Sequence, residues 1–221
     1  MPPLLLHKAP GTAGRKRGTG MALEDVRKQI DGIDTRIREL LMERLDCSAQ
    51  VAEAKLAVGE TTVYRADRET EILDRLGAQV TEDRRAGYLA VVRKVMETSR
   101  MYQYGIMYDR LEDPFGPMSR ELDMPERTDR VRVCLTRENR PNAMSSILSM
   151  IGDYGFNMEQ MELIREDAER QTVTFELVII GDLHETRMKK LMFQLSKESM
   201  DFRILSCYSA DSVKGHSRTE S

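Results

Sequence analysis

From Leu23 to Val58, apolar residues recur at helical spacing: Leu23, Val26, Ile30, Ile33, Ile37, Leu40, Leu41, Leu45, Val51 and Leu56. No Gly or Pro interrupts the run after Gly32, so the pattern predicts a single helix about 50 Å long. Gly59 and "ETTVY" close it. A short helix is expected in "RADRETEILDRL", ended by Gly77, and a third from an N-cap at Thr81 through Tyr104. A lone helix as long as the first cannot cover its own apolar stripe, and a symmetric dimer is the economical cover.

Residues 108–129, "YDRLEDPFGPMSRELDMPERTD", combine three prolines with dense charge and predict a linker over 107–130. Beyond it the period changes. "VRVCLT" alternates as a strand and "NAMSSILSMIGDYG" has helical spacing up to Gly155. "MEQMELI" and "TVTFELVII" predict strands joined by the polar turn "REDAERQ". "ETRMKKLMFQLSKES" is an amphipathic helix and "FRILSCY" a last strand. The order β-α-β-β-α-β is the split arrangement of a ferredoxin-like sandwich. The expected division is a helical domain over 21–106, the linker, and an α+β domain over 131–210. Residues 1–20 are expected to be a disordered extension, or an artefact of an upstream start with Met21 as initiator, and 211–221 a disordered tail.

Composition narrows the function classes. A 40% hydrophobic content provides for a core and 32% charge suits a soluble protein. No apolar run approaches the roughly 18 residues of a membrane span. Four of the 34 basic residues, and no acid, lie in the first 20 positions, leaving 30 bases against 37 acids in the rest. That balance argues against a nucleic-acid partner. Cys47, Cys134 and Cys207 are scattered and lack metal-ligand spacing, as expected of reduced thiols in a cytoplasmic protein.

The chemistry starts from two misplaced cations. Advancing about 100° per residue, Arg44 and Lys55 fall on the stripe of Ile37, Leu41 and Val51, with Ser48 between them. Neither has an acid three or four residues away. The third helix repeats the anomaly: Ser99 and Gln103 lie within the stripe of Tyr88, Val92, Val95, Met96 and Ile106. Polar groups from two helices on a shared apolar interior, with no central acid, suit a small anion with a hydrophobic body. Arg44 and Lys55 are separated by about 16 Å along the axis and can converge on one molecule. Arg27 is about 25 Å from Arg44 and reaches that molecule only from an antiparallel partner. Arg68 and Glu69 stand on the second helix, near the end of the first. The set holds no nucleophile–base pair, no metal cluster and no Gly-rich phosphate loop. His7, His184 and His216 lie outside it. Such a site works by positioning and charge stabilisation, without cofactor or metal.

Residues 23 to about 105 resemble the all-helical chorismate mutase domain, also found at the start of chorismate mutase–prephenate dehydratases. The matching pieces are "LEDVRKQIDGIDTRIRELLMER" with Arg27 and Arg44, "VAEAK" with Lys55, "DRETEIL" with Arg68 and Glu69, and "METSRMYQ" with Ser99 and Gln103. The resemblance implies an intertwined homodimer with shared active sites that rearranges chorismate to prephenate. It implies that Arg44 and the partner's Arg27 hold the carboxylates, and that Lys55 and Gln103 donate to the breaking ether oxygen. Glu69 would address the ring hydroxyl, while Arg68 and Ser99 shape the pocket. Arg65 stands where the family commonly has Asp.

The second half resembles an ACT domain, an amino-acid-sensing module, through "RENRPNAMSSILSMIGDYGFNMEQMELI". Asn142 replaces the usual Gly of the first turn, and Glu162 is followed by Leu163, Ile164 and Arg165 instead of Ser-Arg-Pro. The resemblance implies an effector, an aromatic amino acid, at Asn142, Ala143, Met144, Asn157 and Glu162. The dehydratase domain that usually separates these halves is absent. Two other functions stay open: isochorismate pyruvate-lyase or aminochorismate mutase chemistry at the same site, and a non-catalytic sensor subunit.

Overall fold

The computed structural model describes residues 22–141 and 143–210; the expectations for 1–20, Met21, Asn142 and 211–221 lie outside them. By packing, the chain divides into two compact units after Met42. Helix α1 is Leu23–Ala57, α2 Ala66–Gly77 and α3 Glu82–Arg110. The predicted helices are present, and α3 continues six residues past Tyr104. In the first unit Leu23, Ile30, Ile33, Ile37 and Leu40 are exposed, and the buried residues of α1 are Ser48 and Ala52. The apolar stripe read from the sequence is thus uncovered within the single chain.

After a short α4 (Gly116–Ser119) come β1 (Arg130–Glu138), α5 (Ala143–Asp153), β2 (Asn157–Asp167), β3 (Thr172–Ile180), α6 (Thr186–Glu198) and β4 (Asp201–Tyr208). The strands form one antiparallel sheet in the order β2-β3-β1-β4. This is the βαββαβ sandwich expected of an ACT-like domain. Buried and more exposed positions alternate along β1, which puts Val131, Val133 and Leu135 in the core. Central β3 is buried on both faces through most of its length. Gly155 takes φ +77° at the end of α5, where Phe156 N–H returns to the Ile151 carbonyl (3.1 Å) and closes the helix. The 107–130 stretch expected as a linker carries the last turn of α3 and α4, and buries Phe115 in the sheet core.

Helix α6 is buried on two sides. Met188, Leu191, Met192 and Leu195 join the sheet core, while Phe193 joins Ala52, Tyr104 and Met107 in a second one. Phe193 meets the rings of Tyr104 and Tyr108 edge-on, with centroids 6.1 and 5.8 Å away. The helix that would be amphipathic in an isolated sandwich therefore packs its outer face on α3. Among the described residues no helix is long and apolar enough to cross a membrane.

Candidate active site

Helix α3 presents the site. Its buried residues, Met96, Ser99, Arg100, Gln103, Tyr104 and Met107, fall three and four apart on one face. Two of the polar side chains on that face are held by their own helix: the Ser99 hydroxyl donates to the Val95 carbonyl (2.9 Å) and Gln103 Nε2 to the Ser99 carbonyl (3.2 Å). Across from them, Arg44 Nη1 donates to Ser99 Oγ. Arg44 and Ser99 are therefore in contact, with Gln103 one turn further along the same buried face of α3. Arg44 itself is exposed in the single chain, which corrects the expectation of a buried, partnerless cation. Gln103 Oε1 is buried with no hydrogen-bond partner among the described residues. An orphaned acceptor of this kind is costly unless something arrives to satisfy it.

Lys55 is also corrected. Gly59 takes φ +73°, so the chain reverses at the end of α1 and Glu60 N–H returns to the Lys55 carbonyl (2.9 Å). That reversal delivers Glu60 and Thr62 to the Lys55 ammonium. Nζ lies 2.5 Å from Glu60 Oε1 and 2.8 Å from the Thr62 carbonyl, with the side chain 20% exposed. An acid five residues on, past the helix end, escapes any search at helical spacing. The Tyr104 hydroxyl accepts the N–H groups of Val63 and Tyr64 (3.1 and 3.2 Å), pinning the same loop to α3.

Glu69 faces elsewhere. It lines a cavity of about 560 Å³ with Tyr64, Arg65, Arg100, Arg137, Arg140 and Glu198, which Arg44, Lys55, Ser99 and Gln103 do not line. Its carboxylate pairs with Arg100 Nη1, and Arg100 Nε donates to Glu198 Oε1 (3.1 Å). Burial pushes the Glu69 carboxyl above the usual range, against the pull of Arg100. Burial also works against the charge of Arg100, but Glu198 and Glu69 outweigh it and raise its affinity for the proton. Arg100, Arg137 and Arg140 surround the Tyr64 ring at 4.9, 5.8 and 5.8 Å. Arg100 and Glu198 were missed from the sequence. Arg100 had a signal, since it lies four residues after Met96 on the buried face.

The other expected residues scatter. Arg68 is exposed, and Arg65 pairs with Asp67 at 3.8 Å on the surface. Arg27 is exposed in the first unit, 4.0 Å from Glu24. Of the expected effector residues, Ala143 lines the cavity, Met144 is exposed, and Asn157 and Glu162 are exposed on edge strand β2. Among the described residues, no group of three or more His, Cys, Asp or Glu is placed to hold a metal ion.

The decisive comparison concerns the helices that carry these side chains. Residues 26–104 match the family model of chorismate mutase type II. The matched segment contains Arg27, Arg44, Lys55, Arg68, Glu69, Ser99 and Gln103, and ends before the sheet begins. No curated protein matches the chain. Among solved structures, it is similar to a prephenate dehydratase from Arthrobacter aurescens in complex with L-Phe, at 24% identity and a TM-score of 0.37, over 41% of this chain. It is likewise similar to GqqA, described as a novel type of quorum quenching acylase, at 20% identity and a TM-score of 0.37, over 42% of this chain. The match covers 30% and 34% of those two chains, about a third of their length. At that TM-score neither likeness bears on what this chain does.

Proposed function

We propose that the protein is a chorismate mutase, catalysing the pericyclic rearrangement of chorismate to prephenate in aromatic amino-acid biosynthesis. The observation that carries this reading is the Arg44 guanidinium docked on Ser99 beside the buried, half-satisfied Gln103 amide. The rearrangement needs no acid, base or nucleophile, only a compact dianion held in a reactive shape and donors aimed at the charge that develops. In this reading Arg44 binds one carboxylate, and Lys55 and Gln103 turn to the ether oxygen as its bond breaks. Glu69, which in the resting chain lines the neighbouring cavity beside Arg100, turns to accept from the ring hydroxyl, while Arg68 and Ser99 bound the pocket.

The second carboxylate is assigned to Arg27 of a partner chain in an intertwined homodimer. The uncovered stripe from Leu23 to Leu40 supports that arrangement, because isolated helices do not leave so much apolar surface in water. We divide the chain into a mutase domain at 21–106, a connecting segment at 107–130 and an ACT-like regulatory domain at 131–210. The effector is an aromatic amino acid, held around Asn142, Ala143, Met144, Asn157 and Glu162. The cytoplasm is the compartment assigned, a reading supported by three cysteines that form no disulfide. The test is conversion of chorismate to prephenate by the purified chain, with isochorismate and aminochorismate as competing substrates. Turnover of a competitor in preference to chorismate, or of none, overturns the reading.

A further inference from the structure

Charged contacts cross from α3 to the ACT-like half at several points, and one of them ends on a proposed active-site residue. Lys190 on α6 pairs with Asp109 (2.7 Å), and Lys94 on α3 with Asp153 (2.6 Å). Both are surface pairs of the kind that contribute little. Arg100 differs. Its side chain is only 9% exposed, and that of Glu198 only 1%. Nη1 is committed to Glu69 on α2 and Nε to Glu198 on α6, so two edges of one planar guanidinium hold two carboxylates from different elements. Glu198 is in turn held: Gln194 Nε2 donates to its Oε1 (2.9 Å), Arg137 of β1 stands 3.8 Å from Oε2, and Tyr154, in the turn after α5, donates to Gln194 (3.0 Å). The anchor of this chain is therefore the sandwich itself.

We infer that Arg100 is a positioning residue through which Glu198, and with it the ACT-like half, sets where the Glu69 carboxylate stands. The inference rests on the reading of Glu69 as the group that addresses the substrate hydroxyl. Ser99 and Arg100 are consecutive on α3, so one turn of that helix fixes both Arg44 and Glu69. A planar fork is needed because a single ammonium cannot point along both directions. Charged and titratable groups facing Glu69 are Arg100 and Glu97 of α3, Glu198 of α6, and Tyr64 of the preceding loop, with Arg137 and Arg140 across the cavity. Burial and the like charge of Glu198 both raise Glu69, and Arg100 opposes them.

The experiment measures kcat, KM and the pH profile of kcat/KM in the full-length protein. It compares Glu198→Gln, Arg100→Lys, Glu69→Gln and, as a matched loss of an α3–α6 contact, Lys190→Ala. Glu198→Gln keeps the shape of the buried side chain and one acceptor oxygen for Arg100 and Gln194 while removing the charge, and circular dichroism checks that it folds. The expected result is a fall in kcat on the order of 10²-fold, the size of effect that a misplaced group produces, with Lys190→Ala unchanged. The acid limb of the profile should move to lower pH, because a like charge facing Glu69 has gone. Arg100→Lys, which keeps one of the two pairings, should fall between Glu198→Gln and wild type. Wild-type or faster turnover by a folded Glu198→Gln, while Glu69→Gln is impaired, overturns the inference alone. Unimpaired Glu69→Gln overturns the assigned role of Glu69 as well, and a wild type inert toward chorismate overturns the mutase reading.

Discussion

Replacing Lys55 with Ala separates the loop contact seen in the structure from the catalytic role proposed for the same ammonium. In the resting chain Nζ holds the loop after α1 through Glu60 and the Thr62 carbonyl. Glu60 is 45% exposed and regains water when the partner goes, so the ion pair itself is worth about 0.2–1 kcal/mol. The charged hydrogen bond to the carbonyl adds about 1.5–3 kcal/mol at most, reduced because Thr62 is also exposed. The expected loss of stability is about 1–3 kcal/mol, measurable by urea denaturation and too small to unfold a typical domain. The expected loss of rate is larger. One donor aimed at developing negative charge commonly accounts for about 10²–10³ in turnover, or roughly 3–4 kcal/mol of barrier. A continuous assay of chorismate consumption reads it directly. Glu60→Gln is the control, since it disturbs the same loop contact and keeps the ammonium. Equal turnover in Lys55→Ala and wild type would refute the catalytic role, and an equal loss in Glu60→Gln would make the effect structural.

Co-expression of Arg27→Ala with Lys55→Ala subunits should restore one intact site per heterodimer, and verified heterodimers that stay inactive would count against sites shared between chains. Tyr104→Phe removes the acceptor for Val63 and Tyr64 N–H, and should cost about 1–3 kcal/mol in denaturation experiments; no loss would mean that water satisfies both groups. The raised Glu69 carboxyl binds its proton more tightly in the folded chain than in the unfolded one. Its contribution to stability is therefore present below the usual carboxylate range and lost as pH rises through the folded value. The stability gap between Glu69→Gln and wild type should move in the variant's favour over that interval, and movement the other way contradicts the burial argument. Calorimetric titration with phenylalanine, tyrosine and tryptophan should find one effector that changes chorismate affinity about 5–150-fold, reciprocally. No heat from any of them, with activity unchanged after deletion of 120–221, would leave the ACT-like half without a sensing role.

The local patterns in the sequence determined the elements and much of one cluster. Apolar spacing along 23–58 and 81–104 sufficed for the long helices, and the change of period after Val131 for the order of strands and helices along the chain, because helix and strand periods follow from backbone geometry alone. The same periodicity put Ser99 and Gln103 on one face, and the position of Arg44 on its stripe pointed at them. The uncovered stripe of α1 was legible for the same reason. What the tertiary structure decided was every pairing that crosses elements. Lys55 meets Glu60 because Gly59 reverses the chain, an event outside any helical period. Arg100 joins Glu69 and Glu198, 31 and 98 residues away, and α6 buries a second face only because α3 lies against it. No repeat in the sequence records those distances. A buried charge is stabilised by whichever opposite charge the fold brings within reach, and that choice is made when the elements pack.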